Sequence, residues 1–274
     1  QAVFDRLFDE LLALEKQYPD LALPESPTRR VGSDLDNTFP EIPHSVSMLS
    51  LDKAYNPDEV IAWAEKTEKN AQQKLSYTME EKIDGISIAV QYTGGTFTRA
   101  LTRGNGIAGN DISNNAVTIR NIPLKLSESV TITVRGEIFM RKSVFAAINE
   151  TQDILYDNPR NLTAGIMRRK NSREVARYPI EGFIYEGISE DLEGLSHMEI
   201  LARLANLGFP TNPHTVLFSE LGSKFLEWTR NTVEKRRDLD YEIDGFVIKV
   251  NECDVRNALG STEGDIDKAV EMLK

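Results

Sequence analysis

Residues 77 to 101 constrain the fold more than any other stretch of this chain. Ile86, Ile88, Val90 and Tyr92 alternate with smaller or polar residues, the two-residue period of an extended strand. Gly94 and Gly95 then supply a turn, and Phe97 to Leu101 continues as the return strand of a hairpin. Just ahead of the hairpin, Glu80, Lys82 and Asp84 are spaced by two. An extended segment projects all three from one face and brackets a lysine with carboxylates. Flanking anions favour the protonated lysine, so its use as a nucleophile requires desolvation or nearby cations to oppose them. An isolated Lys-Ile-Asp-Gly is most often a surface ion pair, and its meaning depends on what else the chain carries.

Further strands are expected at Ile132 to Met140, Phe183 to Ile188 and Ile243 to Val250. Helical signals fall among them. Asn56, Pro57 and Glu59 occupy N-cap, N1 and N3 positions, and Ser196 with Glu199 forms a capping box whose helix stops at Gly208. Phe4, Leu7, Phe8, Leu11 and Leu12 are spaced for an amphipathic helix, and Leu23 to Pro43 reads as an irregular connector. Short strands that turn back on themselves, with helices interspersed, predict an α+β class with mostly antiparallel sheets.

Charge narrows the function by exclusion. A formal net charge of −11 excludes a uniformly basic surface for nucleic acid, so any phosphate contact has to be local. Arg168-Arg169-Lys170 with Arg173 and Arg177, and Lys235-Arg236-Arg237, are the candidates. One cysteine, Cys253, excludes an internal disulfide, and the histidines at 44, 197 and 214 have no zinc spacing, so no protein-ligated metal is expected. No apolar run reaches the roughly 18 residues of a membrane span, and the first residues lack the order of a secretory signal. A cytoplasmic monomer is expected.

Ordered motifs sharpen this reading: Met48-Leu-Ser-Leu-Asp52, Glu80-Glu-Lys-Ile-Asp-Gly85, Thr102-Arg-Gly-Asn-Gly106, Thr118-Ile-Arg-Asn-Ile-Pro123, Val134-Arg-Gly-Glu137, Asn158-Pro-Arg-Asn161 and Glu242-Ile-Asp-Gly-Phe-Val-Ile-Lys249. Together they make the chain resemble the NAD-dependent DNA ligases. The resemblance implies a nucleotidyltransferase fold in which Lys82 attacks the α-phosphate of NAD, releases nicotinamide mononucleotide and keeps AMP as a phosphoramidate. Asp84 belongs to the same motif. Arg103, Arg160, Arg168 and Lys249 would then balance phosphate charge with magnesium (Mg2+) assisting, and Glu137 would position a ribose hydroxyl. Glu80 would select the adenine base, Ser50 and Leu51 would line its pocket, and Tyr185 would stack on its face. Lys249 has support of its own, because a lysine sharing a strand face with Ile243 and Val247 is rarely buried without a partner such as a phosphate.

The resemblance implies a division into residues 1–45, the end of a helical segment plus connector, 46–263, the adenylation domain, and 264–274, a divergent C-terminal helix. Only Asp5 matches the family's nicotinamide-binding residues, with Phe4 where the family carries Tyr. The match ends after Glu263, and Leu273 falls where a final motif lysine is due. A chain short at both ends is expected, unable by itself to pass AMP to nicked double-stranded DNA and seal it. An ATP-dependent polynucleotide ligase and a non-catalytic nucleotide-binding remnant are the alternatives. Asn158-Pro-Arg-Asn161 and Thr118-Ile-Arg-Asn-Ile-Pro123 argue against the first.

Overall fold

The structure is a computed structural model that describes residues 10–11, 13–21, 26, 39–48, 52–54, 56–151, 155–259 and 267–270. In chain order its strands are β1 (Glu41–Pro43), β2 (Asp52–Ala54), β3 (Tyr77–Ile83), β4 (Ile86–Thr93), β5 (Thr96–Thr102), β6 (Ala108–Asn110), β7 (Ile132–Met140), β8 (Ile180–Ile188), β9 (Val216–Phe218), β10 (Ile243–Val250) and β11 (Asp267–Val270). The helices are α1 (Pro57–Ala71), α2 (Ser113–Ala116), α3 (Lys142–Asn149), α4 (Pro159–Met167), α5 (Ser172–Val175), α6 (His197–Asn206), α7 (Ser223–Lys235) and α8 (Cys253–Leu259).

The expected hairpin is β4-β5, with Gly94 and Gly95 both at positive φ, as a two-residue turn between twisted strands requires. It belongs to an antiparallel sheet of order β5-β4-β7-β8. One face of that sheet carries Ile88, Val90, Val134, Ile138 and Ile184, packed against Ile166 of α4 and Leu204 of α6. The other face carries Arg135, Glu137 and Phe139, because alternate residues of β7 point opposite ways.

A second sheet has the order β2-β11-β10-β3-β9, antiparallel except where β11 meets β2. Its Tyr77, Met79, Phe246 and Ile248 pack on Val60 and Trp63 of α1 and Phe225 of α7. Phe139 of the first sheet joins this second core, so the sheets are tied by apolar contact as well as by chain. Each large side chain so buried contributes about 1.5–3 kcal/mol. The covalent tie is Asp84-Gly85 between β3 and β4. A Cβ on Gly85 would collide with the Ile138 carbonyl and stand 3.0 Å from Glu137 Cγ, so the turn can lie flat on β7 only with glycine there.

Both expected caps form. Asn56 Oδ1 accepts the Glu59 N–H at 2.9 Å and starts α1. Ser196 and Glu199 make the reciprocal capping box that starts α6, and Gly208, at φ 100°, follows its end. Ser196→Ala is expected to lower stability by about 1 kcal/mol, read as a shift in urea midpoint without a change of slope.

Three expectations are corrected. Residues 41–43 lie in the stretch read as irregular, yet they pair with β6, a partner that local composition does not announce. β8 begins at Ile180 rather than Phe183, since residues 180–182 pair with the end of β7. Residues 267–270 form a strand and not a helix. They fill the edge of β10 between Phe246 and Lys249, and pairing of open backbone groups overrides the weak propensity of a short helix. Residues 10–11 and 13–17 are helical, whereas Phe4, Asp5, Leu7, Phe8 and Leu12 lie outside the described residues. Among the described residues no helix is long and apolar enough to cross a membrane.

Candidate active site

The faces of the two sheets turned from their own cores meet around Lys82. On β3, Tyr77 and Met79 point into the core and Glu80 and Lys82 point the other way. β10 carries a bulge opposite them. Ile243 opposes Ile83 and Gly245 opposes Lys82, which leaves Asp244 as the extra residue. The bulge puts Ile243 in the core with Phe246 and Ile248, correcting the expectation that it shares a face with Lys249. It also brings both Asp244 carboxylate oxygens to Lys82 Nζ, at 2.6 and 2.5 Å. Asp84 lies beyond the end of β3, where its carboxylate accepts Arg160 Nη1 at 2.9 Å. Arg160 is delivered by the first turn of α4, which Asn158 caps and Pro159 opens.

Glu137 projects from β7 toward the same place and accepts the Ser87 hydroxyl at 2.8 Å. Burial pushes its pKa up to about 7, against the Ser87 hydrogen bond and the positive charges of Arg160 and Lys82, with Asp244 adding to the rise. A carboxyl raised in this way contributes stability that is complete below its ordinary value of 4.5 and is lost as pH rises through 7. Glu137→Gln is therefore expected to gain on the parent protein between those limits, by on the order of 2 kcal/mol above pH 7. Urea titrations at both ends of the range check this, and a gap that does not change with pH counts against it.

On β3, two residues before Lys82, lies a buried charge cluster. Glu80 is 4% exposed and Lys249 7%. Lys249 Nζ stands 2.9 Å from Glu80 Oε1 and 3.3 Å from the Tyr185 carbonyl, and lies over the Tyr185 ring 5.2 Å from its centroid. Tyr185 is itself a bulge residue. Arg135 opposes Glu186 and Gly136 opposes Ile184, so Tyr185 is left over on β8 and its carbonyl is free to meet the lysine. Burial raises its pKa, Glu137 adds to the effect, and the phenol stays neutral.

His197 Nε2 approaches the same Glu80 oxygen at 2.6 Å. Burial alone would raise the pKa of Glu80, but Lys249 and His197 outweigh it and hold the carboxyl well below the usual range. Burial and Lys249 together depress His197 against the pull of Glu80, so the imidazole is neutral near pH 7.

The structure thus brings together Glu80, Lys82, Asp84, Glu137, Arg160, Tyr185 and Lys249. Arg103 is exposed on the loop after β5 and donates its Nε to the Met48 carbonyl, and Arg168 is exposed at the C-cap of α4. Ser50 and Leu51 lie outside the described residues. Arg135, beside Glu137 on β7, is engaged by Glu186 at 2.9 Å and by the carbonyls of Val46 and Ser47.

Sequence reasoning missed Asp244 and His197. Asp244 repeats the Asp-Gly of the lysine motif, a signal available in the chain, whereas nothing near His197 points to a carboxylate 117 residues away. Among the described residues no group of three or more His, Cys, Asp or Glu side chains could hold a metal ion.

Residues 36–266 match the NAD-dependent DNA ligase adenylation domain, and residues 1–32 match the DNA ligase-like N-terminal NAD+-binding domain. The DNA ligase of Thermotoga neapolitana is 41% identical over 265 residues, covering 94% of this chain and 38% of that protein. The DNA ligase of Borrelia recurrentis is 41% identical over 264 residues, covering 94% of this chain and 40% of that protein. The chain spans well under half the length of these relatives. An archaeal ATP-dependent RNA ligase of known structure superposes with a TM-score of 0.47 at 13% identity, covering 82% of this chain and 48% of that one.

Proposed function

The chain belongs to the NAD-dependent DNA ligase adenylation-domain family, and from that premise we propose that it transfers AMP from NAD to Lys82, the first half-reaction of DNA joining. The observation that carries this reading is the pairing of Lys82 with Asp244 at the junction of the sheets, next to the buried Glu80–Lys249 pair on the same side of β3. As the P–N bond forms from Lys82 to the α-phosphorus, the bond to the bridging oxygen breaks and nicotinamide mononucleotide leaves. Before attack Asp244, within hydrogen-bonding distance, takes one ammonium proton and frees the lone pair of Lys82, and the second proton lost as the phosphoramidate forms goes to solvent as the mononucleotide departs. Arg160, oriented by Asp84, is the fixed cation for the charge that builds on the phosphate oxygens.

At the other end of the site, the Glu80 acceptor and the Lys249 donor stand side by side. They match a base edge with an amino group next to a bare ring nitrogen, as adenine has, so in this reading Lys249 serves the base rather than the phosphates that the resemblance implied. The Tyr185 ring is the stacking surface, and Glu137 takes a ribose hydroxyl. Arg103, Arg168, Ser50 and Leu51 keep the roles that the resemblance implies, at the phosphates and the adenine pocket. The described residues do not form a protein-only metal site. Magnesium in this reading therefore comes with the phosphates, as is usual for that ion.

Residues 46–263 are the transfer domain, and residues 1–45 serve the nicotinamide end. The acceptor is nicked double-stranded DNA, with the exposed arginines at 173 and 177 as candidates for its phosphates. The same reading makes the protein a cytoplasmic monomer.

Intact-protein mass after incubation with magnesium and either NAD or ATP tests the proposal. An AMP-sized gain with NAD alone is expected. A gain with ATP alone overturns the choice of cosubstrate, and no gain with either overturns transfer by this chain.

A further inference from the structure

Glu80 has two oxygens in unlike surroundings. Oε1 receives His197 Nε2 at 2.6 Å and Lys249 Nζ at 2.9 Å, and among the described residues no group donates to Oε2. We propose that His197 is a positioning residue for base selection, which locks the Glu80 carboxylate so that Oε2 is held toward the base. The inference rests on the reading of this end of the site as the adenine pocket.

The His197 imidazole is held rigidly for three reasons. His197 is 1% exposed. It is the first residue of α6, fixed by the Ser196–Glu199 capping box. Its own N–H donates to the Asn251 carbonyl at 2.7 Å, and the next N–H, of Met198, donates to Asn251 Oδ1 at 3.0 Å. The ring therefore has little freedom to follow the carboxylate, and the carboxylate must follow the ring.

Its proton can be placed as well. An ionised Glu80 only accepts, so a 2.6 Å contact requires the hydrogen to be on Nε2. Lys249 Nζ lies 3.3 Å from the same nitrogen but has Glu80 Oε1 and the Tyr185 carbonyl as acceptors, so it needs nothing from His197. With Oε1 held by two donors, the carboxylate plane is set. The edge offered to a nucleotide is then an acceptor beside a cationic donor. A base with a keto oxygen beside an N–H, such as hypoxanthine, meets that edge with acceptor on acceptor.

The test is equilibrium binding of AMP and inosine monophosphate by titration calorimetry, which needs no turnover. The parent protein is expected to prefer AMP. His197→Phe, of similar breadth but without a donor, is expected to lower that preference about tenfold or more, the scale of one hydrogen bond to a charged group. His197→Gln, whose amide nitrogen can replace Nε2, is expected to retain most of it. A structural role alone would weaken both nucleotides equally and leave their ratio unchanged, and that result overturns the inference.

Should His197→Phe not fold, imidazole nitrogen NMR of the parent protein decides. The Nε2–H tautomer is expected, and the Nδ1–H tautomer overturns the proposal. A parent protein that binds AMP no better than inosine monophosphate overturns it too. A parent that prefers AMP but gains no mass with NAD counts against the transfer reaction and leaves the role of His197 standing.

Discussion

Lys82→Ala is expected to abolish the AMP-sized mass gain, lowering adenylation by at least about a thousandfold, while the melting temperature stays within a few degrees of the parent's. The two effects separate because of where Lys82 sits. Its side chain is 31% exposed and that of its partner Asp244 37%, so their ion pair is screened by water and is worth about 0–1 kcal/mol to the fold. What disappears is the nitrogen that has to bond to phosphorus. Lys82→Arg should fail equally, since a guanidinium keeps its charge and supplies no lone pair at any working pH. AMP should still bind to both variants, because Glu80, Lys249 and Tyr185 are untouched at the other end of the site. A mass gain that persists in the alanine variant, mapped to another residue, would remove Lys82 from the mechanism.

Much of this site was legible in the sequence, and the part that was not has a specific cause. The spacing of Glu80 and Lys82 put them on one face, as the structure shows, because β3 is regular from end to end. Asp84 followed the same rule on paper but sits past the strand, where it meets Arg160. Asp244, which pairs with Lys82, is a bulge residue, and so is Tyr185, which the resemblance named although strand alternation does not place it. A bulge inserts one residue and inverts the alternation beyond it, and it is fixed by the partner strand rather than by local composition. For that reason Ile243 was placed on the wrong face of β10. The capping box of α6 was visible in Ser196 and Glu199, but the contact that gives its first residue a role crosses from a helix to a strand distant in the chain. The strand at 267–270 was hidden in the same way, since one neighbour, β2, lies far from it in sequence and the other, β10, is separated from it by α8.

Lys249→Met is expected to lower stability by about 3 kcal/mol near pH 8, several times the loss expected for Lys82→Ala, although both substitutions remove one lysine from one ion pair. The difference is burial. Lys249 and Glu80 are 8% and 5% exposed at their side chains, and the methionine fills the space of the lysine stem without its charge. Glu80 is then left ionised in the interior with only a neutral imidazole for company. The pH dependence follows from the sign of each shift. In the parent protein the folded carboxyl lies well below its ordinary value of 4.5, so Glu80 contributes stability that is present above 4.5 and lost as pH falls through the folded value. In the variant, burial acts without the lysine and raises the carboxyl above 4.5, so stability is instead lost as pH rises. The gap between the two proteins should therefore be widest at pH 8 and should narrow toward pH 4, where the variant's Glu80 is protonated. Adding Glu80→Gln to Lys249→Met should recover most of the loss at pH 8, because no charge is then buried alone. Urea midpoints of the three proteins at pH 4 and pH 8 decide the matter. A loss below about 1 kcal/mol at pH 8, or an equal loss at both pH values, would mean that water reaches the pair and that Glu80 and Lys249 are held together only as weakly as charges on a surface.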